Sequence, residues 1–213
     1  MLSAKGRKPV RGLIEPLAKT ATAAGLSPNA VTVIGTLAAI AISVSLIPTG
    51  HLFLAAVLAG LFTAFDMVDG TMARLRGGGT RFGAVLDASC DRITDGALFL
   101  SILWWLIYSH DAPWWLLMAC MVVIVGSQVT SYVKARAEAS GFHVDGGLVE
   151  RPERLIIGLV GVGFEGLGVP YAIEVSLSVL AIGSVITVVQ RLMMVAQDER
   201  GSEHIAPPAG AEQ

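Results

Sequence analysis

Five aspartates, Asp66, Asp69, Asp87, Asp91 and Asp95, fall within 30 residues of a largely apolar stretch. Asp66 and Asp69 are three residues apart and Asp87 and Asp91 four apart, so on helices each pair shares a face. A short glycine-rich turn, Arg76-Gly77-Gly78-Gly79-Thr80, separates the pairs. It lets two helices fold back antiparallel with their acidic faces meeting. Carboxylates gathered at low dielectric repel one another, so they require protons, cationic partners or metal. Their oxygens are hard ligands that suit Mg2+, Mn2+ or Ca2+ rather than zinc or copper. Several carboxylates can hold two ions, and two ions can clamp a phosphoryl group between attacking and leaving oxygens. The competing structural reading is that Arg74, Arg81 and Arg92 neutralise the acids in salt bridges. A charge network at that depth is costly without a role.

The elements that must position these acids are membrane helices. Of the 213 residues, 54% are hydrophobic and only 15% charged, against about 25% charged in a soluble domain. A soluble globule and a disordered chain are excluded on that balance. The net charge of −2 provides no basic field for nucleic acid. Cys90 and Cys120 lie in apolar surroundings, so no disulfide framework is implied. No Lys, Arg, Asp or Glu occurs between Lys19 and Asp66, and a span needs about 20 apolar residues. Breaks rich in Gly, Pro or polar residues divide the chain into six spans, at about 29–48, 52–76, 84–109, 113–138, 153–166 and 170–195. Before them, Val10, Leu13, Ile14, Leu17, Ala18 and Ala21 line one helical face, and Arg11, Glu15 and Lys19 the other. That is an amphipathic helix lying flat at the membrane surface. No signal peptide is visible.

The sequence therefore predicts an all-α integral membrane protein, with six transmembrane helices after an N-terminal amphipathic interfacial helix. The organisation is a juxtamembrane segment (1–26), a six-helix domain (27–196) and a polar, disordered cytoplasmic tail (197–213). All 15 Lys and Arg fall in four regions: the N-terminus, 74–92, 134–154 and from Arg191 on. With six spans, those regions share one side. Basic loops stay cytoplasmic, so both termini and the aspartates are expected there, in a multi-pass protein of the cell (inner) membrane.

The run Asp66-x2-Asp69-Gly70-x2-Ala73-Arg74-x8-Gly83-x3-Asp87-x3-Asp91 resembles the signature of the CDP-alcohol phosphotransferase family at every fixed position. The six-span layout is similar to that family too. The resemblance implies transfer of a phosphatidyl or phosphoalcohol group from a CDP-linked donor to an alcohol, releasing CMP. It implies Asp66, Asp69, Asp87 and Asp91 as metal ligands, for two ions of Mg2+ or Mn2+. It also implies Asp91 as the catalytic base for the acceptor hydroxyl. Gly70 and Ala73 are implied to leave room for the cytidine, Arg74 to contact the diphosphate, and Thr80, Asn29 and Thr32 to complete the CDP-diacylglycerol site. Asn29 reads equally as a helix cap. Asp95 lies outside the signature and is expected to brace the site by ion pairing.

The acceptor is read from the segment 127–154. Lys134, Arg136, Arg154 and Arg191 stand at the depth of the aspartates, and several cations beside a metal site suit an anionic acceptor. The competing reading is ordinary cytoplasmic anchoring. Glu150 and Glu153 beside Arg151 and Arg154 suggest a salt-bridged loop. The runs Ser131-Tyr132-Val133-Lys134-Ala135-Arg136 and Glu150-Arg151-Pro152-Glu153-Arg154 resemble the actinobacterial phosphatidylinositol-phosphate synthase branch. That branch implies inositol 1-phosphate as acceptor, with Lys134, Arg154 and Arg191 holding its phosphate, and a homodimer. The rival within the family is phosphatidylglycerophosphate synthase, with glycerol 3-phosphate as acceptor. The rival from another class is a cation or proton transporter, since intramembrane acids also mark ion paths. These acids gather at one face instead of crossing the bilayer.

Overall fold

The structure is a computed structural model describing residues 7–204; the side chains of residues 7–13 and 64–66 lie outside that description, Asp66 among them. Among the described residues there are seven helices, α1 (Arg7–Ala23), α2 (Pro28–Leu46), α3 (Leu52–Leu75), α4 (Arg81–Tyr108), α5 (Trp114–Ala139), α6 (Arg151–Gly166) and α7 (Ala172–Gln197). A 3-10 turn over Glu199–Ser202 follows.

The boundaries have local causes. Ser27 caps α2 by accepting from the Ala30 N–H at 3.1 Å, and Pro28 occupies its first turn, where a missing N–H costs nothing. Thr80 caps α4 in the same way, from the Gly83 N–H at 2.9 Å. Between α3 and α4 the chain reverses through Gly77 and Gly78 at φ +90° and +134°, a region that side chains with a Cβ rarely enter.

α2, α3, α5 and α7 are long and apolar enough to cross a membrane. α4 carries its charges in its first half. α6 has 16 residues, roughly 24 Å of helix against about 30 Å of hydrocarbon. Their surfaces are those of a membrane protein: Ile34, Leu37, Leu61, Val125 and Ile182 are exposed, while Thr187, Ser184 and Ser127 are buried. Tyr108, Trp114, Trp115 and Tyr171 are exposed at the helix ends opposite the aspartate cluster, the interfacial place that amphipathic rings favour.

α2 packs on both α3 and α4 and so bridges the two acid-bearing helices. α1 lies on α3, α3 on α6, α6 on α7, and α5 on α4 and α7. Arg76 at the end of α3 donates to the Leu26 carbonyl just before α2, at 2.9 Å. Ser109 after α4 reaches the Pro48 carbonyl after α2 at 3.4 Å. Consecutive helices α2, α3 and α4 therefore alternate in direction, and the turn that carries Thr80 lies at the end where α2 begins. Glycines bring α6 close to its neighbours. A Cβ on Gly161 would sit 2.4 Å from the Ser176 side chain, and one on Gly166 would sit 2.3 Å from the Phe53 backbone nitrogen. The core around Phe99, Ile102, Leu106, Leu116, Val123, Leu177 and Leu180 fills the rest of the bundle.

Candidate active site

The charged end of the bundle contains a cavity of about 530 Å³. Its wall comes from the first turn of α2 (Ser27, Pro28, Asn29, Thr32), the last turns of α3 (Asp69, Gly70, Ala73), the glycine turn (Gly78, Gly79, Thr80) and the first turns of α4 (Gly83, Ala84, Asp87). Seven expected donor-site or metal-site positions, Asn29, Thr32, Asp69, Gly70, Ala73, Thr80 and Asp87, thus line one space. Asp69 is buried and its carboxylate accepts from the Thr32 hydroxyl. Asp87 is exposed and has no ion-pair partner among the described residues. A Cβ on Gly70 would meet nothing within 4 Å, so this position opens the α3 backbone to the cavity. Gly83 is needed for another reason: its Cβ would lie 3.0 Å from the Asn29 side-chain oxygen. It allows α4 to start against α2.

Arg74 is not part of that wall; it donates along its own helix to the Thr71 hydroxyl at 2.9 Å. Arg76 lines the cavity instead. Arg76 is marked in the sequence only as a cation in the same glycine turn as the capping Thr80, the one signal that points to it.

One turn beyond Asp87 on α4, a charge network begins. Asp91 is paired with Arg151 at 2.7 Å, and Arg92 stands 3.9 Å from it. Asp95, with no exposure at all, is 2.6 Å from Arg154 and 3.5 Å from both Arg92 and Arg151. Arg92 therefore does neutralise part of the acidic row, as the structural reading supposed. Asp95 takes the bracing role expected of it. Arg151 was missed as a partner for Asp91. Its acidic neighbours Glu150 and Glu153 suggested pairing within the loop, whereas its place in the first turn of α6 aims it across at α4.

The three cations expected at an acceptor phosphate stand on α5, α6 and α7. Lys134 is 2.7 Å from Asp145 and 3.7 Å from Glu138. Arg154 is buried against Asp95. Arg191 donates to the carbonyls of Gly146, at 3.0 Å, and Thr130, at 2.8 Å, and stands 3.5 Å from Glu150. In the α5–α6 connection, the Lys134 ammonium and then His143, 2.8 Å away, hold the Asp145 carboxyl below the usual carboxylate range.

Among the described residues no three acidic, His or Cys side chains close on one point; Asp66 lies outside that description. The donor chemistry still fits a hard divalent cation. Asp69 and Asp87 present carboxylate oxygens to one cavity, and the Asp87 charge is uncompensated by any described cation in contact.

This arrangement has close counterparts. The sequence profile of the CDP-alcohol phosphatidyltransferase family matches residues 25–197. The chain is 59% identical over 211 residues to a phosphatidylinositol phosphate synthase of Corynebacterium glutamicum, covering 99% of this chain and 96% of the relative. It is 50% identical over 197 residues to one of Mycobacterium tuberculosis, covering 91% and 90%. The crystal structure of the M. tuberculosis phosphatidylinositol phosphate synthase with CDP-DAG bound is similar with a TM-score of 0.87 at 48% identity, over 91% of this chain and 98% of that one. The same enzyme in complex with manganese and citrate gives 0.86 at 48% identity, over 91% and 93%. The chain belongs to the CDP-alcohol phosphatidyltransferase family.

Proposed function

We propose that the protein transfers the phosphatidyl group of CDP-diacylglycerol to inositol 1-phosphate, giving phosphatidylinositol phosphate and CMP. One observation carries the reading: both halves of the acidic signature meet Asn29 and Thr32 in one cavity at the charged end of the bundle. The similarity to phosphatidylinositol phosphate synthases over nearly the whole chain supports the choice of acceptor.

Asn29, Thr32 and Thr80 offer polar atoms to the nucleotide, and Gly70 and Ala73 keep the α3 backbone within its reach. Arg76, in the cavity wall, and Arg74, in the last turn of α3, are the guanidinium groups assigned to the diphosphate, and a fork of donors suits phosphate oxygens. Asp66, Asp69, Asp87 and Asp91 would hold two divalent cations, Mg2+ or Mn2+, whose chemistry is to neutralise charge on the diphosphate. Asp91 takes the proton of the acceptor hydroxyl. That oxygen then bonds to the phosphorus bearing diacylglycerol, the anhydride P–O bond breaks, and its electrons leave with CMP. Little covalent chemistry is asked of the chain, so its contribution is position and electrostatics. Lys134, Arg154 and Arg191 would form the acceptor's phosphate site, Arg154 from its buried place against Asp95 at the closed end of that site. The contacts of Arg151 with both Asp91 and Asp95, and of Arg154 with Asp95, support an anion site beside Asp91.

The same reading places the enzyme in the cell inner membrane, as a homodimer of six-span chains with the cavity and both termini cytoplasmic. α1 lies in the interface plane, and the acyl chains of the donor stay in the bilayer.

The test is CMP release by purified protein in detergent from CDP-diacylglycerol with four acceptors: inositol 1-phosphate, glycerol 3-phosphate, inositol and serine. Turnover with inositol 1-phosphate, lost on chelation and restored by Mg2+ or Mn2+, is the expected result. Preference for glycerol 3-phosphate would overturn the acceptor, and full activity after chelation would overturn the metal assignment.

A further inference from the structure

Each of the three cations assigned above to the acceptor's phosphate already faces a carboxylate, and the three carboxylates differ in kind. Asp95, opposite Arg154, is wholly buried and held by two further guanidinium groups. Glu150, opposite Arg191, is 3.5 Å away and secondary to the two carbonyls that Arg191 binds. Asp145, opposite Lys134, forms the shortest of the contacts made by a solvent-facing acid, 2.7 Å, with its side chain 60% exposed. We infer that Asp145 is an internal stand-in for the acceptor's phosphate: its carboxylate holds the Lys134 ammonium until a phosphorylated alcohol exchanges with it. This rests on the assignment of Lys134 to the acceptor site.

The connection is built so that the side chain alone has to move. Val144, the residue before Asp145, is buried. Beyond it, the Gly146 carbonyl is held by Arg191, the Leu148 N–H by the Gln190 side chain at 2.9 Å, and the Val149 N–H by Thr187 at 2.9 Å. At the other end, Arg200 donates to the Gly141 carbonyl at 2.8 Å. With the backbone fixed on both sides, Asp145 leaves Lys134 by rotating about its own bonds into solvent; His143, 2.8 Å from its other oxygen in the closed contact, is the neighbouring partner that does not depend on Lys134. Glu138, 3.7 Å from Lys134 on the same helix, keeps the ammonium near the site while the exchange occurs.

The exchange confers selectivity. A phosphate monoester carries up to two charges and three acceptor oxygens, so it outcompetes a single carboxylate for the ammonium. A neutral alcohol has nothing to offer Lys134 and leaves the Asp145 contact closed. The resident contact thus raises the concentration at which a phosphorylated acceptor binds, sets a threshold that only an anion stronger than a carboxylate passes, and gives an unphosphorylated alcohol no gain from Lys134.

The experiment is steady-state kinetics of the full-length protein in detergent, varying inositol 1-phosphate and CDP-diacylglycerol separately, for wild type, Asp145→Asn, Lys134→Ala and the double variant. Asp145→Asn is expected to lower KM for the acceptor about two- to five-fold, the range of an exposed ion pair, with KM for the donor unchanged. Lys134→Ala is expected to raise the acceptor KM, and adding Asp145→Asn to it to change nothing further. An unchanged or raised acceptor KM in Asp145→Asn overturns the inference. So does an equal fall in the absence of Lys134, which would make the effect one of net charge. If wild type uses glycerol 3-phosphate instead, the acceptor identity fails while the same four variants read the exchange with that phosphate.

Discussion

The pair formed by Asp95 and Arg154 gives the sharpest test of how this bundle tolerates charge. Asp95 is completely buried and Arg154 is 1% exposed, with 2.6 Å between them. Arg92 and Arg151 stand 3.5 Å from the same carboxylate. The local balance is three guanidinium groups against two carboxylates, Asp91 and Asp95. Asp95→Asn keeps the shape and an acceptor oxygen but leaves three cations facing one acid. Stranding a buried partner costs about 3–5 kcal/mol. For a chain of this size that is a fall in Tm of about 6–20 °C, read by thermal unfolding in detergent. Replacing both partners, as Asp95→Asn with Arg154→Met, removes the stranded charge and is expected to recover most of the loss. A fall below about 3 °C for Asp95→Asn, or no recovery in the double variant, would refute the claim that this pair is a closed, desolvated unit.

Asp91→Asn is expected to reduce CMP release at least about 100-fold, the low end for a lost general base, with a single unfolding transition retained; unchanged turnover would remove the base assignment. Gly70→Ala should leave Tm equal or slightly higher, since the new Cβ meets nothing within 4 Å and Ala favours helix by about 1 kcal/mol. It should nevertheless raise KM for CDP-diacylglycerol, because the methyl group enters the cavity; an unaltered donor KM would remove the nucleotide from that wall. Gly161→Ala puts a Cβ 2.4 Å from Ser176 and should cost about 1–3 kcal/mol of stability, with Ser176→Gly restoring it if α6 and α7 are held by that contact.

The helices were legible because their ends are written in residue types. The expected spans begin and end within about three residues of α2 to α7, as Pro48, Pro113 and the glycine runs break the apolar stretches. The cavity was legible because most of its residues sit at fixed spacings on two helices joined by one short turn, with the first turn of α2 completing the wall. The charge pairing was not. Which acid an arginine meets depends on the rotation and crossing of helices far apart in sequence. Arg151 therefore reaches Asp91, 60 positions away, and not its neighbours Glu150 and Glu153. Arg191 likewise is spent largely on the backbone carbonyls of Thr130 and Gly146, partners that no side-chain pattern reveals.

The two halves of the site handle charge in opposite ways, and the contrast follows from burial. On the donor side Asp87 is exposed at a cavity wall and carries its charge without an ion pair among the described residues. Water screens it there, so an unpaired acid is tolerable and remains available to a cation. On the acceptor side Arg154 is sealed from solvent, and an unpaired guanidinium there would carry a desolvation penalty of several kcal/mol. It must have a resident carboxylate, and Asp95 provides it. Lys134 lies between these limits: partly exposed, and paired with an acid that is more exposed than itself. Only a contact of that intermediate kind is weak enough to yield to an incoming anion and strong enough to discriminate among them.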